Sequence, residues 1–191
     1  MGRLIVDLIV SADGCAQDAD GGMDHVPPTV DAGGCDVDTV TRWTDVDAII
    51  LGANTYRLFA GHWPKVTPEQ DLLAGIINSR PKHVVSTRLE EAPWGSLAPA
   101  RIESGDGVAS VRRIKERSSG EVVVWGSLSL VSNLFEAGEV DGLRLRIVPT
   151  LAGGRRSFTP HGLGVRDLEL VHSRSYSAGQ QILEYRLSDP T

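Results

Sequence analysis

The sequence predicts an α/β domain: a mostly parallel central sheet flanked by helices, closed by a C-terminal antiparallel hairpin. Three observations lead there. Short β-branched runs alternate with helix-type segments through the first three quarters of the chain. The runs at 4–10 and 48–51 are apolar at nearly every position, as expected of strands covered on both faces in a parallel sheet. Two alternating segments at 168–175 and 181–187 flank Ser177-Ala178-Gly179-Gln180 and read as a hairpin.

The elements follow in order. The first strand, 4–10, is broken only by Asp7, a carboxyl that needs a partner if buried. A hydrogen-bonded structural acid is the plain reading, and a pocket acid is the alternative. A Gly- and Asp-rich loop runs from 11 to about 34, and Pro27-Pro28 forbids a helix through its middle. Asp36 is placed to cap a short helix reaching Trp43. Ala48-Ile49-Ile50-Leu51 is the second strand, closed by Gly52, and a helix starts near Asn54 and ends by Gly61. Thr67-Pro68-Glu69-Gln70 has the form of a helix start. Residues 83–87 are the third strand. Ser104 to Asp106 offer caps for a helix with Val108, Val111 and Ile114 on one stripe. Residues 121–125 are a further strand, closed by Gly126. Ser127 then caps an apolar helix through Leu130, Val131, Leu134 and Phe135 that ends at Gly138. Leu143-Arg144-Leu145-Arg146-Ile147-Val148 alternates, which predicts a half-exposed strand. There is no repeat, low-complexity tract or linker, so residues 1–191 are expected to form one domain.

Composition bounds the function. Hydrophobic residues make up 41% and charged residues 23%, which excludes disorder. A chain of this length buries roughly 70% of its unfolded surface and needs neither disulfide nor metal to hold a core. The charge is -6, from 25 acids against 19 bases. That argues against nucleic acid or an anionic membrane as the main partner. Cys15 and Cys35 read as free thiols in a reducing, cytoplasmic compartment. The apolar start is too short to span a bilayer and runs into Asp13-Gly14 rather than a cleavage site. Position 6 is Val6 where a myristoylation signal needs a hydroxyl, so no leader or anchor is expected. The five histidines have no ligand spacing, so no metal is expected.

In an open α/β sheet, ligands bind beyond the carboxyl ends of the strands. Those ends read Ser11-Ala12-Asp13-Gly14, Gly52-Ala53-Asn54-Thr55, Ser86-Thr87-Arg88 and Gly126-Ser127-Leu128. Small and hydroxyl residues there let backbone amides and helix N-termini face an anion. Together they suggest an elongated phosphate-bearing ligand, although each alone is an ordinary cap or turn. Of the four tryptophans, Trp63 and Trp125 are the best placed to wall a pocket for a flat ligand.

Set in order, these pieces resemble the dihydrofolate reductase superfamily. The nearer likeness is to the C-terminal reductase domain of the bifunctional riboflavin-biosynthesis deaminase–reductase. It is carried by Ser11-Ala12-Asp13-Gly14, Leu51-Gly52-Ala53-Asn54-Thr55-Tyr56, His62-Trp63-Pro64, Pro81-Lys82-His83-Val84-Val85-Ser86 and Trp125-Gly126-Ser127-Leu128-Ser129-Leu130. Gly138-Glu139-Val140-Asp141-Gly142-Leu143-Arg144-Leu145, running on to Pro149 and Gly153-Gly154, completes it.

The resemblance implies a dihydrofolate-reductase-like fold, NADPH across the strand ends and a homodimer. Gly52, Ala53, Asn54 and Thr55 would meet the phosphates. Ser86, Thr87 and Arg88 would meet the 2′-phosphate, and Gly126, Ser127 and Leu128 would pass under the pyrophosphate. The loop holding Ala12 and Asp13 would border the nicotinamide and the substrate, with Asp13, the acid at the mouth, the catalytic candidate that would bind or protonate the heterocycle; an ordinary Asp-Gly turn is the alternative. Many relatives carry Arg after the glycine matching Gly52, where this chain has Ala53. Riboflavin-pathway domains commonly carry an acid where it has Trp125, and the deaminase zinc signature is absent from the sequence. The expected function is therefore NADPH-dependent hydride transfer to a small pterin- or riboflavin-precursor-like heterocycle. The alternatives are authentic dihydrofolate reduction and nucleotide binding without catalysis.

Overall fold

Eight strands form one sheet in a computed structural model that describes residues 1–26, 34–153 and 157–187. The elements are β1 (Arg3–Ser11), α1 (Cys35–Arg42), β2 (Val46–Gly52), α2 (Ala53–His62), α3 (Leu73–Ser79), β3 (Lys82–Val85), β4 (Arg101–Glu103), α4 (Gly107–Arg117), β5 (Glu121–Trp125), α5 (Leu128–Glu136), β6 (Gly142–Val148), β7 (Leu168–Ser175) and β8 (Gln181–Leu187). The strand order is β4-β3-β2-β5-β1-β6-β8-β7. The first six strands in that order are parallel. β8 runs antiparallel to both β6 and β7, which makes the expected closing hairpin.

Alternation along β1 assigns the two faces. Leu4, Val6, Leu8 and Val10 join Ile50, Val122 and Val124 against Val111 and Ile114 of α4 and Val131, Leu134 and Phe135 of α5. Ile5 points the other way, with Ile49, Leu51, Val123 and Trp125, against Trp43, Tyr56, Trp63, Leu73 and Ile77. Each such aliphatic side chain contributes ~1.5–3 kcal/mol by leaving water.

Beneath α1 this second face turns polar. Arg144 of β6 lies opposite Asp7 of β1 and Glu184 of β8. Its guanidinium bonds Asp7 (3.4 Å), Glu121 (3.0 Å) and Glu184 (2.9 Å). Trp43 Nε1 donates to Asp7 Oδ2 at 3.0 Å, and Arg42 of α1 reaches Glu184 at 2.6 Å. One step along β6, Arg146 Nε donates to Gln180 at 2.9 Å and its terminal nitrogen pairs with Asp36. The facing carboxylates hold Arg144 charged despite its burial, which by itself pulls the other way.

The half-exposed reading of β6 is corrected here. Arg144 and Arg146 are 4% and 6% exposed, because carboxylates from β1, β5, β8 and α1 meet them inside. Asp36 is not a cap: α1 starts from Gly34 at φ 90°, and Asp36 is spent on Arg146. Residues 67–70 form a turn closed by Thr67 N donating to Gln70 Oε1 at 2.9 Å, and α3 begins only at Leu73. The third strand ends at Val85, because Ser86 turns away through its hydroxyl. Asp106 caps α4 as expected, accepting from Val108 N and Ala109 N. The three-residue edge strand β4 was not expected, being too short to carry a pattern. The Pro27-Pro28 reading lies outside the described residues.

Replacing Arg144 with Met leaves Asp7, Glu121 and Glu184 facing one another. We expect a loss of ~3–5 kcal/mol in urea unfolding. Arg144 is one of the groups that pull the raised Asp7 carboxyl back down, so without it Asp7 moves further up and the deficit narrows as pH falls. A loss under ~1 kcal/mol would show that the cluster is not uncompensated without Arg144.

Candidate functional site

β2 and β5 are neighbours in the sheet, so their carboxyl ends emerge side by side. At each, the chain turns directly into a helix: Gly52 into α2 and Gly126-Ser127 into α5. Gly126 and Ser127 both adopt left-handed backbone, at φ 65° and 60°. For Ser127 that conformation costs ~1–2 kcal/mol. Three contacts offset it. Gly52 N donates to Ser127 Oγ at 2.6 Å, Ser127 N donates to Thr55 Oγ1 at 3.0 Å, and the two hydroxyls lie 3.2 Å apart. The expected Ser127 cap is thus corrected: its hydroxyl serves the neighbouring helix start, with no side-chain bond to its own.

The result is a knot that holds two helix N-termini together at one point of the strand ends. The positive ends of both helix dipoles converge there, which suits an anion. Both glycines are required by the packing of the knot itself. A Cβ on Gly126 would lie 3.1 Å from Thr55 Cγ2, and one on Gly52 would lie 3.2 Å from Ser127 Cβ.

Beside the knot, Ala53, Asn54 and Arg57 of α2 and Val85, Ser86, Thr87, Arg88 and Gly105 line a cleft of about 410 Å³. Arg57 and Arg88 both line it, and among the described residues no Asp or Glu does. Arg57 is positioned by Asn54 Oδ1 at 3.0 Å. Ser86 Oγ accepts from Arg88 N and Leu89 N, which fixes the turn presenting Arg88. The Gly52–Thr55 and Ser86–Arg88 segments, read separately in sequence, therefore share one cleft. Leu128 faces a different cleft of about 550 Å³, with Gln17, Asp18 and His161.

Asp13 and Ala12 lie on an exposed turn after β1. Asp13 accepts from the Ser11 hydroxyl, from Ala152 N (3.1 Å) and from Gly153 N (2.9 Å). Those bonds, the Ser11 one first, hold its carboxyl below the usual carboxylate range. Such a group pins the turn to residues 152–153 and is unsuited to donate a proton at neutral pH.

Trp63 and Trp125 lie in one aromatic group, their rings 5.9 Å apart. Phe59 and Trp43 pack edge-on to Trp125 at 4.7 and 4.9 Å. Cys15 and Cys35 are both buried. Among the described residues no cluster of three His, Cys, Asp or Glu is placed to hold a metal ion, and no helix is long and apolar enough to cross a membrane.

Sequence reasoning missed the polar cluster beneath α1. Its one signal was Asp7 interrupting an apolar strand. The arginines of β6 gave none, since alternation with Arg reads as solvent exposure.

The RibD C-terminal domain family is matched over residues 3–182. An uncharacterized protein, YyaP, of Bacillus subtilis (strain 168) is 26% identical over 185 residues, 93% of this chain and 90% of that protein. The crystal structure of a putative riboflavin biosynthesis protein from Shewanella sp. PV-4 superposes with a TM-score of 0.72 at 19% identity, covering 97% of this chain and 99% of that one. Dihydrofolate reductase from Enterococcus faecalis, complexed with NADP(H), gives 0.63 at 14% identity, covering 98% and 97%. The fold is thus dihydrofolate-reductase-like.

Thr55→Val keeps the branched shape and removes the acceptor for Ser127 N. We expect a loss of ~1–3 kcal/mol in urea unfolding, the cost of a buried donor left unpaired. Amide exchange at Ser127 should accelerate in parallel. Unchanged exchange would mean that another group holds this amide.

Proposed function

The chain belongs to the RibD C-terminal domain family, and on that premise we propose that it is an NADPH-dependent reductase of a small heterocycle. The observation that carries this reading is the knot of Gly52, Thr55, Gly126 and Ser127, which sets two helix N-termini together next to a basic cleft. When bound, the dinucleotide supplies the hydride. Gly52, Ala53, Asn54, Thr55, Gly126 and Ser127 hold its pyrophosphate, with Leu128 continuing the helix start below it. Ser86, Thr87 and Arg88, joined by Arg57, take the 2′-phosphate. The presence of NADP(H) in the dihydrofolate reductase of the same fold supports this choice of cofactor.

The substrate is a pterin- or riboflavin-precursor-like ring, in keeping with the family. Trp125 and Trp63 supply a flat wall for it. Ala12 and Asp13 border the nicotinamide, with Asp13 keeping the turn in place. The protein acts in the cytoplasm as a homodimer. Its second subunit pairs along β7, the edge strand, where Leu168, Leu170 and Val171 are exposed.

Titration of NADPH and NADH, followed by tryptophan fluorescence, tests the cofactor. NADPH should bind more tightly, and Arg88→Ala should remove most of the margin. A charge-assisted contact is worth ~1.5–3 kcal/mol, or ~10–100-fold in affinity. NADH binding should hardly change. If the margin instead survives in Arg88→Ala and falls in Arg57→Ala, the phosphate belongs to Arg57. Binding of neither cofactor would overturn the reading. For assembly, light scattering at micromolar protein should give twice the chain mass, and a monomer would refute pairing along β7.

A further inference from the structure

A reduction by hydride also consumes a proton, and Asp13 is a poor source of one. Another acid is better situated. Asp7 lies directly opposite Trp125 in the β1–β5 register, one residue before the Gly126-Ser127 turn. It points to the α1 side, and it borders a cavity of about 20 Å³ together with Trp125, Trp43, Thr39 and Arg144. That volume is enough for one water molecule. Among the described residues around this cavity Asp7 is the one acid.

Both hydrogen bonds to Asp7 fall on Oδ2, from Trp43 Nε1 and from Arg144. Oδ1 is thereby left to carry a proton. Trp43 and Trp125 touch edge to face at 4.9 Å, so the side chain that orients Asp7 packs on the tryptophan that ends β5.

Resting on the reductase reading above, we infer that Asp7 is the proton source of the reduction, delivering through this cavity. The electrophilic carbon of the substrate's C=N or C=O bond gains a hydride, with its electron pair, from the dihydronicotinamide. The π pair of that bond moves onto the heteroatom. The O–H bond of Asp7 breaks, its proton passes to the heteroatom, and Asp7 becomes a carboxylate beside Arg144. It recovers a proton from solvent before the next turn. The oxidised nicotinamide and the reduced heterocycle leave.

The surroundings favour the protonated acid in the resting protein. Burial pushes the Asp7 carboxyl above its ordinary range, and Glu184 of β8 adds to that push. Arg144 of β6 and the Trp43 bond pull it back, and burial prevails. Glu121 of β5 and Arg42 of α1 pair within the cluster, to Arg144 and Glu184, and Arg146 of β6, which borders the same cavity, is paired to Asp36 of α1. After the proton leaves, Arg144 is in place to stabilise the carboxylate.

The decisive measurement is a carbon-13 titration of the Asp7 side chain in the unaltered protein, free and with NADPH. The carboxyl should stay protonated at a pH where Asp13 is ionised. An Asp7 already ionised at pH ~5 would overturn the inference, and this needs no variant. Steady-state rates are then compared for the unaltered protein and Asp7→Asn, with a dihydropterin and an aminouracil as acceptors. Asp7→Asn should bind NADPH normally, lose ~10²–10⁴-fold in turnover, and lose the fall in kcat at high pH that marks deprotonation of the donor. A purely structural Asp7 would leave that limb in place. Undiminished turnover in Asp7→Asn would remove Asp7 and leave the reductase reading standing. Turnover of neither acceptor by the unaltered protein, or no uptake of NADPH, would defeat both.

Discussion

A single guanidinium, that of Arg144, answers three buried acids on strands β1, β5 and β8. The sheet must cover both faces of its parallel strands. On the α4–α5 side it does so with apolar side chains. On the other side aromatic and aliphatic packing covers β2 and β5, but the strip over β1, β6 and β8 is ionic. Desolvating those charges is expensive, and only mutual pairing makes the strip tolerable. The pairing also fixes geometry. It ties the antiparallel hairpin to the parallel sheet through Glu184 and docks α1 through Arg42 and Asp36. The eight-residue α1 buries little apolar surface of its own, only Cys35 and Asp36 being buried within it. Its position is set by charge.

The same division organises chemistry. The knot at Gly52 and Ser127 stands at the carboxyl ends of β2 and β5, where helix N-termini suit a phosphate. Trp125 closes β5 directly below, and beneath it begins the ionic strip with Asp7. Within a few residues of one strand end, the structure passes from an anion cradle through an aromatic wall to a buried acid. Two aspartates at this end of the molecule differ sharply for a plain reason. Asp13 is exposed and receives three hydrogen bonds, so it stays ionised. Asp7 is buried, and losing water outweighs its one cation and one indole donor.

The parallel sheet, the hairpin and most helix boundaries were legible because the apolar periodicity there is strong and local. The strand-end turns were legible too, since Gly52, Ser86 and Gly126 follow β-branched runs directly. Where reading failed, the deciding contact was distant in sequence. Arg144 and Arg146 alternate with leucine and isoleucine exactly as solvent-facing residues do. Their burial depends on Asp7, Asp36 and Glu184, up to 137 residues away. Ser127 looked like a cap, and the left-handed backbone that aims its hydroxyl at Gly52 has no mark in the sequence. Thr67-Pro68-Glu69-Gln70 shows the opposite case: a good local signal for a helix start satisfied by a turn, with α3 delayed to Leu73.

The knot also constrains how such a chain can diverge. Gly52, Thr55, Gly126 and Ser127 meet across more than seventy positions of sequence. A side chain at Gly52 would press on Ser127, and one at Gly126 would press on Thr55. A change at any one of the four leaves a strained residue or an unpaired amide unless its counterpart changes too. Within the lineage these four positions should therefore drift as one linked set, since Ser127 touches both Gly52 and Thr55, while the residues between them vary on their own.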